Sequence, residues 1–412
     1  VKRESWLDSL KEAVPMGPEG LVWWLALVQA SGMTAVLPIL PLYADQHGAD
    51  LSFIGLMVGA YMAANLVALP PAGWISDRMG RRSLMAVGLI GFGLASFGFL
   101  IFVDPWAFVV LRACEGVAAA CFMPAALAYV ADRAPVGQRG LRITQLTVAQ
   151  NVGTLLGPVF GGALVMAFGL SSPFWALAVL CALGGLLVAK LPGAGRAEAE
   201  ERRALSGGRD PVGVWKQVLW IPFAGLALRV MANGFAIGMY ESIWAIYLRD
   251  LGGTPWHITL SWTLFALPAI VFAGVAGRMI DRTGPARPLV LGALFSSVLV
   301  MSYGMTGNVN VLLLLGVVEG IGFAFAYPAQ SAMMIHVAPE ALRGRVIGLI
   351  TAMSTVGALI GAMLTPILYK HHPFWAFATT AGLLFVTALL LAFALAWART
   401  PQPAEASTGV SG

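Results

Sequence analysis

Charge is scarce in this sequence. Only 11% of its 412 residues are Asp, Glu, Lys or Arg, against about 25% in soluble domains, which leaves too little polar surface to wet a water-soluble fold. The same scarcity excludes a disordered chain, which needs high charge and low hydrophobicity. Three cysteines exclude a disulfide-dense secreted scaffold. Cys114 and Cys121 lie seven residues apart on one helix, roughly 10 Å along its axis, and cannot bridge. Among five histidines only His371 and His372 adjoin, so no metal site is expected. No phosphate-cradling Gly-Lys-Ser/Thr loop is present, which argues against direct ATP use, and no nucleophile is paired with a base, so an enzyme is not expected. The alternating ten-residue pattern of a membrane barrel is missing as well.

Apolar residues fill the space that charge leaves. They make up 58% of the chain, mean hydropathy is +0.80, and they come in blocks. A helix needs about 20 apolar residues to cross a bilayer core of roughly 30 Å. Twelve blocks of about that length are legible, at about 19–43, 51–74, 84–103, 106–131, 141–168, 173–191, 217–248, 256–277, 287–306, 310–336, 345–369 and 373–398. Glycine (48) and proline (24) are frequent, as membrane helices tolerate. The expected fold is an all-α membrane protein of twelve transmembrane helices.

Basic residues orient it. Of 25 Lys and Arg, Arg112 and Arg229 lie inside blocks, and Arg249 and Lys370 follow odd-numbered ones. The other 21 sit in the termini or after even-numbered blocks, which predicts that both termini are cytoplasmic. The net charge of +5 follows from this asymmetry, so no nucleic-acid partner is expected. The first block is too long for a cleavable signal and eleven more follow it. Ahead of it, Trp6, Leu10 and Val14 share one helical face, predicting an interfacial segment at 1–18.

Gly, Ala, Glu and Arg dominate residues 191–214, the one clear break in composition. The expected organisation is therefore a six-helix bundle at 19–191, a cytoplasmic linker at 192–216, a second bundle at 217–398 and a tail at 399–412. The halves match at a shift of 204. That shift takes Gly73, Asp77, Arg78 and Gly80 to Gly277, Asp281, Arg282 and Gly284, and Glu115-Gly116 to Glu319-Gly320. It also takes Tyr43 to Tyr247, Pro124 to Pro328, Pro135 to Pro339, Arg139-Gly140 to Arg343-Gly344, and Gly153 and Gly157 to Gly357 and Gly361. After a four-residue slip, Pro173-Phe-Trp-Ala176 matches Pro373-Phe-Trp-Ala376. A duplicated six-helix unit binds substrate between its pseudo-symmetric halves and exposes it alternately to each side.

The segment Gly73-Trp-Ile-Ser-Asp77-Arg78-Met-Gly80-Arg81-Arg82 resembles the signature loop of the major facilitator superfamily, and the resemblance extends over all twelve blocks. It implies the major facilitator fold and a gating role for this loop and its copy. Physically, Gly73 would let two helices approach closely, Asp77 would cap a helix or face a helix N-terminus, and Arg78, Arg81 and Arg82 would anchor at anionic headgroups. In the fifth block, Gly153-Thr-Leu-Leu-Gly157-Pro158-Val-Phe-Gly161-Gly162 resembles the motif of twelve-helix drug:proton antiporters. Proline lets a helix bend and glycines at four-residue spacing let it pack closely. Thr144 stands where the antiporter pattern has a glycine, and the second half lacks the Gly-Pro pair.

Ionisable residues within membrane helices are costly and mark function. There are five: Arg112, Glu115, Arg229, Glu241 and Glu319. Leu111-Arg112-Ala-Cys-Glu115-Gly116 resembles the helix-4 motif of proton antiporters, with Glu115 at the usual glutamine; the resemblance implies proton coupling. Arg112 and Glu115 share a face at i, i+3, so a permanent ion pair is the other reading. Glu241 and Glu319, with no cation nearby in sequence, are better reversible proton carriers. Arg229 and Asn233, one turn apart, would meet a polar or anionic substrate group. Gln29, Thr34, Asn65, Gln150, Asn151, Tyr240, Tyr327 and Gln330 are either cavity lining or interhelical glue. The first block has no acidic residue between Leu21 and Tyr43, unlike several drug exporters of this type.

These residues predict a secondary transporter of the plasma (inner) membrane, exchanging protons for a lipophilic small molecule. The proton gradient would be its energy source, without a cofactor; membrane lipids would be its surroundings, and a monomer is expected. A lipid or glycolipid flippase and an uptake symporter are the alternatives within transport. A non-transporting sensor on a transporter scaffold is the alternative outside it.

Overall fold

The structure is a computed structural model. It describes residues 17–135, 138–192, 220–338 and 342–397, without the side chains of Asp77, Arg343 and Gly344. The expected interfacial segment before Gly17, the linker beyond Pro192 and the tail at 399–412 lie outside the described residues.

The described residues form thirteen α-helices and no strand. They are α1 Pro18–Val36, α2 Leu40–Gln46, α3 Leu51–Met79, α4 Arg81–Ile101, α5 Pro105–Arg133, α6 Arg139–Phe168, α7 Ser172–Val188, α8 Trp220–Asp250, α9 Pro255–Thr283, α10 Ala286–Tyr303, α11 Val309–His336, α12 Arg343–His371 and α13 Pro373–Trp397. Ten are long and apolar enough to cross a membrane, and α1 with α2 makes an eleventh span bent by 45°. The remaining apolar helix, α7, has 17 residues, the lower limit for a span. Each of the twelve apolar blocks coincides with one of these units. The bend in the first falls at Pro38, which has no amide proton to give the Thr34 carbonyl and whose ring crowds it.

The 204-residue repeat is visible in local structure. Asp104 and Asn308 cap α5 and α11, accepting bonds from Trp106 N (2.7 Å) and Asn310 N (2.9 Å). Gly48 and Gly252 both turn the chain at φ 82–83° after α2 and α8, where an L side chain would be strained. The Tyr43 hydroxyl donates to the Phe99 carbonyl and the Tyr247 hydroxyl to the Tyr303 carbonyl, each at 2.7 Å.

Packing within each half relies on glycine, because lipid supplies no hydrophobic drive between helices and close backbone approach must. A Cβ on Gly153 or Gly157 of α6 would collide with the Leu27 or Ser31 carbonyl of α1; one on Gly357 or Gly361 of α12 would collide with the Met231 or Phe235 carbonyl of α8. The halves meet through α3 against α12 and α6 against α9. Gly55 presses on Ala362 and Pro366, and Gly162 on Thr259. Positions 55 and 259 are equivalent, as are 162 and 366, so the two contacts are one contact with the halves exchanged. At the same end Arg249 binds Asp45, and the Lys370 ammonium donates to Asp50 (2.8 Å) and Ser52 (2.7 Å).

Candidate functional site

Arg112 and Glu115 lie on one face of α5 and are 2% and 1% exposed. The arginine Nη1 donates to Glu115 Oε2 at 2.7 Å, and the Ser96 hydroxyl donates to Oε1 at 3.1 Å. The guanidinium carbon stands 4.4 Å from the centre of the Tyr61 ring, a cation–π contact strengthened by exclusion of water. Its Nε and Nη2 have no hydrogen-bond partner. Glu241, on α8 across the seam, is also buried, with an unpartnered Oε2, and lies within electrostatic reach of Arg112.

Glu319 on α11 is held differently. It accepts from the Tyr240 hydroxyl of α8 (3.1 and 3.0 Å) and the Tyr303 hydroxyl of α10 (2.7 Å). Among the described residues no Lys or Arg pairs with it. The carboxylate opens on a small, partly open pocket between α8, α9, α10 and α11, lined by Trp244, Trp262, Phe265 and Gly316. The Trp244 indole N–H is satisfied by the Ser261 hydroxyl at 2.9 Å, so the ring is fixed in place.

The other lining candidates fall into groups. Arg229 is 3% exposed, with unpartnered Nε and Nη1, and Asn233, one turn on, is half-buried. Gln29 and Gln330 are buried and Gln150 is half-buried. Thr34 and Asn65 act as interhelical contacts: Thr34 sits against Gly157 and donates to the Ala30 carbonyl (2.8 Å), and Asn65 donates to the Gly116 carbonyl (3.1 Å). Asn151 is exposed, and Tyr327 is half exposed and stacked on Phe323.

The gating loops differ from expectation in two respects. Among the described residues, nothing lies within 4 Å of a Cβ position at Gly73 or Gly277, so no described helix approaches either closely; close approach is used at the other end instead. Arg81 and Arg82 are engaged within the protein. Arg81 binds Ser76 (3.0 Å) and Asp132 (3.5 Å), and Arg82 donates to the Leu191 carbonyl (2.7 Å), which ties the ends of α3, α4 and α5 to the chain after α7. Arg78 stacks on Trp74 at 3.6 Å. Gly80 and Gly284, at φ 89° and 73°, make the two equivalent turns, and Asp281 and Arg282 are exposed. In the antiporter-like motif, Gly153, Gly157 and Gly161 seat α6 on α1, Gly162 seats it on α9, and Pro158 is buried.

Sequence reasoning missed Tyr61, Ser96, Trp244, Phe265 and Tyr303. Their signal was available only in part: the shift of 204 pairs Tyr61 with Phe265, but nothing local marks either as a partner of charge.

Comparison with known proteins agrees with this architecture. A sequence model described as Major Facilitator Superfamily matches residues 22–240 and again 226–411. Multidrug resistance protein 2 of Bacillus subtilis (strain 168) is 27% identical over 359 residues, 83% of this chain and 87% of that protein. Multidrug resistance protein MdtG of Escherichia coli (strain K12 / DH10B) is 26% identical over 403 residues, 93% and 95% of the two chains. In fold, the chain is similar to the nucleoside transporter NupG (TM-score 0.76, 14% identity, 92% of this chain and 99% of that one). It is also similar to a D-xylose-proton symporter (TM-score 0.72, 18% identity, 90% and 96%).

Proposed function

Because the chain belongs to the Major Facilitator Superfamily, we propose that it is a proton-coupled exporter of lipophilic, drug-like small molecules. It is an integral membrane transporter and not an enzyme. The observation that carries the finer reading is the set of carboxylates buried inside the spans. Among the described residues, Glu115 has Arg112 beside it, whereas Glu241 keeps an unpartnered oxygen and Glu319 has only phenol donors. A bare carboxylate in a low-dielectric interior is costly, and a proton neutralises it at no cost in space. The relatives named as multidrug resistance proteins support lipophilic cargo.

The mechanism is rocking of the bundle at 19–191 against that at 217–398. The distribution of basic residues supports an orientation with the Asp45–Arg249 end outside and both termini in the cytoplasm, and the membrane proposed is the plasma membrane. Arg229, Asn233, Gln29 and Gln330 supply the polar surface met by cargo. The chain works as a monomer, driven by the proton gradient with no bound cofactor. The test is a substrate panel on proteoliposomes with an imposed pH gradient. Proton movement opposite to substrate is expected; movement in the same direction makes the chain a symporter. Unchanged pH-driven efflux after Glu115, Glu241 and Glu319 are all replaced by Gln would remove the carboxylates from the mechanism.

A further inference from the structure

The pocket beside Glu319 is the place that Arg112 fills in the other half of the molecule. At the shift of 204, Glu115 corresponds to Glu319, Tyr61 to Phe265 and Arg112 to Gly316. The backbone obeys the same correspondence: Gly116 packs on the Tyr61 carbonyl and Gly320 on the Phe265 carbonyl. In the first half a guanidinium lies between the Glu115 carboxylate and the Tyr61 ring face. In the second half both counterparts remain, and Glu319 and Phe265 line one pocket. Residue 316 is glycine, and a Cβ there would stand 4.0 Å from the Tyr303 hydroxyl with nothing nearer. The chain thus builds an arginine site twice and supplies the arginine once.

We infer that this pocket binds an organic cation of the guanidinium or amidinium type, its charge on Glu319 and its plane against Phe265. Three features suit such a ligand. The carboxylate is buried and, among the described residues, has no cationic partner. Its phenol donors, Tyr240 and Tyr303, hold its two oxygens in place. The lining includes the rings of Trp244, Trp262 and Phe265, and aromatic rings attract cations as well as apolar bodies. Cation and proton neutralise the same charge, so they exclude one another at Glu319. The inference deepens the exporter reading by naming a class of cargo, and it rests on that reading only for the step of transport.

Binding is therefore tested apart from flux, on the full chain in lipid nanodiscs by isothermal titration calorimetry. The probe is benzylguanidinium, and the control is benzylurea, its neutral isostere. The wild-type chain is expected to bind benzylguanidinium at least tenfold more tightly than benzylurea. Glu319→Gln removes the charge and Gly316→Arg fills the pocket from within; each is expected to lower affinity at least tenfold. Phe265→Leu, a milder change that keeps the carboxylate, is expected to weaken binding severalfold. No binding to the wild type, equal affinity for the two probes, or an unchanged affinity in folded Gly316→Arg overturns the assignment. Should that variant fail to fold, the comparison of probes and Phe265→Leu decide. A chain that binds the cation but moves nothing in proteoliposomes keeps the site and loses the exporter reading; one that exports drugs without binding it loses only the site.

Discussion

Asp45 and Arg249 are the same position in the two halves of the chain, and they bind each other. A residue that meets its own copy must lie on the pseudo-two-fold axis relating the halves. Two identical charges there would repel; an acid in one half and a base in the other turn the axis into an ion pair. Arg249 also binds Asp250 at 3.0 Å, so the contact is a small network at the closed end of the seam.

This pair is expected to bias the end at which the halves meet. Asp45 and Arg249 are more than a third exposed, so each single change, Asp45→Arg or Arg249→Asp, should shift the population by about 1 kcal/mol or less. The swapped double variant should restore it. Spin labels at the exposed positions Gln46 and Trp256, read by pulsed electron resonance, measure the separation; equal distances in all four chains would show that the pair does not hold the seam.

Acid should loosen the neighbouring contact. The Lys370 ammonium hydrogen-bonded to Asp50, helped by the Phe53 amide, holds the Asp50 carboxyl below its ordinary value of 3.8. A depressed carboxylate stabilises the paired form fully above that ordinary value, and the contribution disappears as pH falls below it through the depressed value. Exposure keeps the effect under about 1 kcal/mol. The label separation should therefore widen in the wild type only as pH falls below 3.8 and respond less in Lys370→Met.

Removing Arg112 alone should be far more damaging than removing it with its partner. Arg112→Met leaves Glu115 buried with only Ser96, a loss of about 3–5 kcal/mol. Arg112→Met with Glu115→Met replaces the pair by apolar volume and should recover most of it. Thermal unfolding in detergent reads the difference; a double variant no more stable than the single one would mean that the pair is not the source of the loss.

Glycine-to-alanine changes should divide sharply by position. Gly153→Ala and Gly357→Ala push a methyl into a neighbouring helix backbone and should lower the melting temperature by several degrees or block folding. Gly73→Ala and Gly277→Ala meet open space and should be neutral or slightly stabilising, because alanine favours helix by about 1 kcal/mol. A reversed order would contradict the packing.

Much of the architecture was legible because membrane crossing imposes a length and a duplication imposes a register. The twelve apolar blocks fall on the observed apolar helices, ten of them long enough to cross a membrane, with Pro38 explaining the one broken unit. The five intramembrane charges were readable because each is an exception in an apolar run. Partnerships were not readable. That Glu319 meets Tyr303, sixteen residues back across a turn, depends on how α10 lies against α11. Gly73 was misread for the same reason: a glycine states that a helix can come close, and only the packing decides whether one does. Arg81 looked like a headgroup anchor because Asp132, some fifty residues on, has no local signature as its partner.

Pro38 gives the two sides of the closing pair different mechanics. Asp45 rides on α2, seven residues joined to α1 through a 45° break that lacks a backbone hydrogen bond. Arg249 sits at the tip of α8, an unbroken rod of 31 residues. The break turns α2 aside, but its Leu40, Leu42, Tyr43 and Ala44 are buried in the first bundle, so the acidic side is braced crosswise by packing while the basic side is carried along the length of one helix. Parting the halves therefore pulls on a packed elbow at one side and on a straight rod at the other.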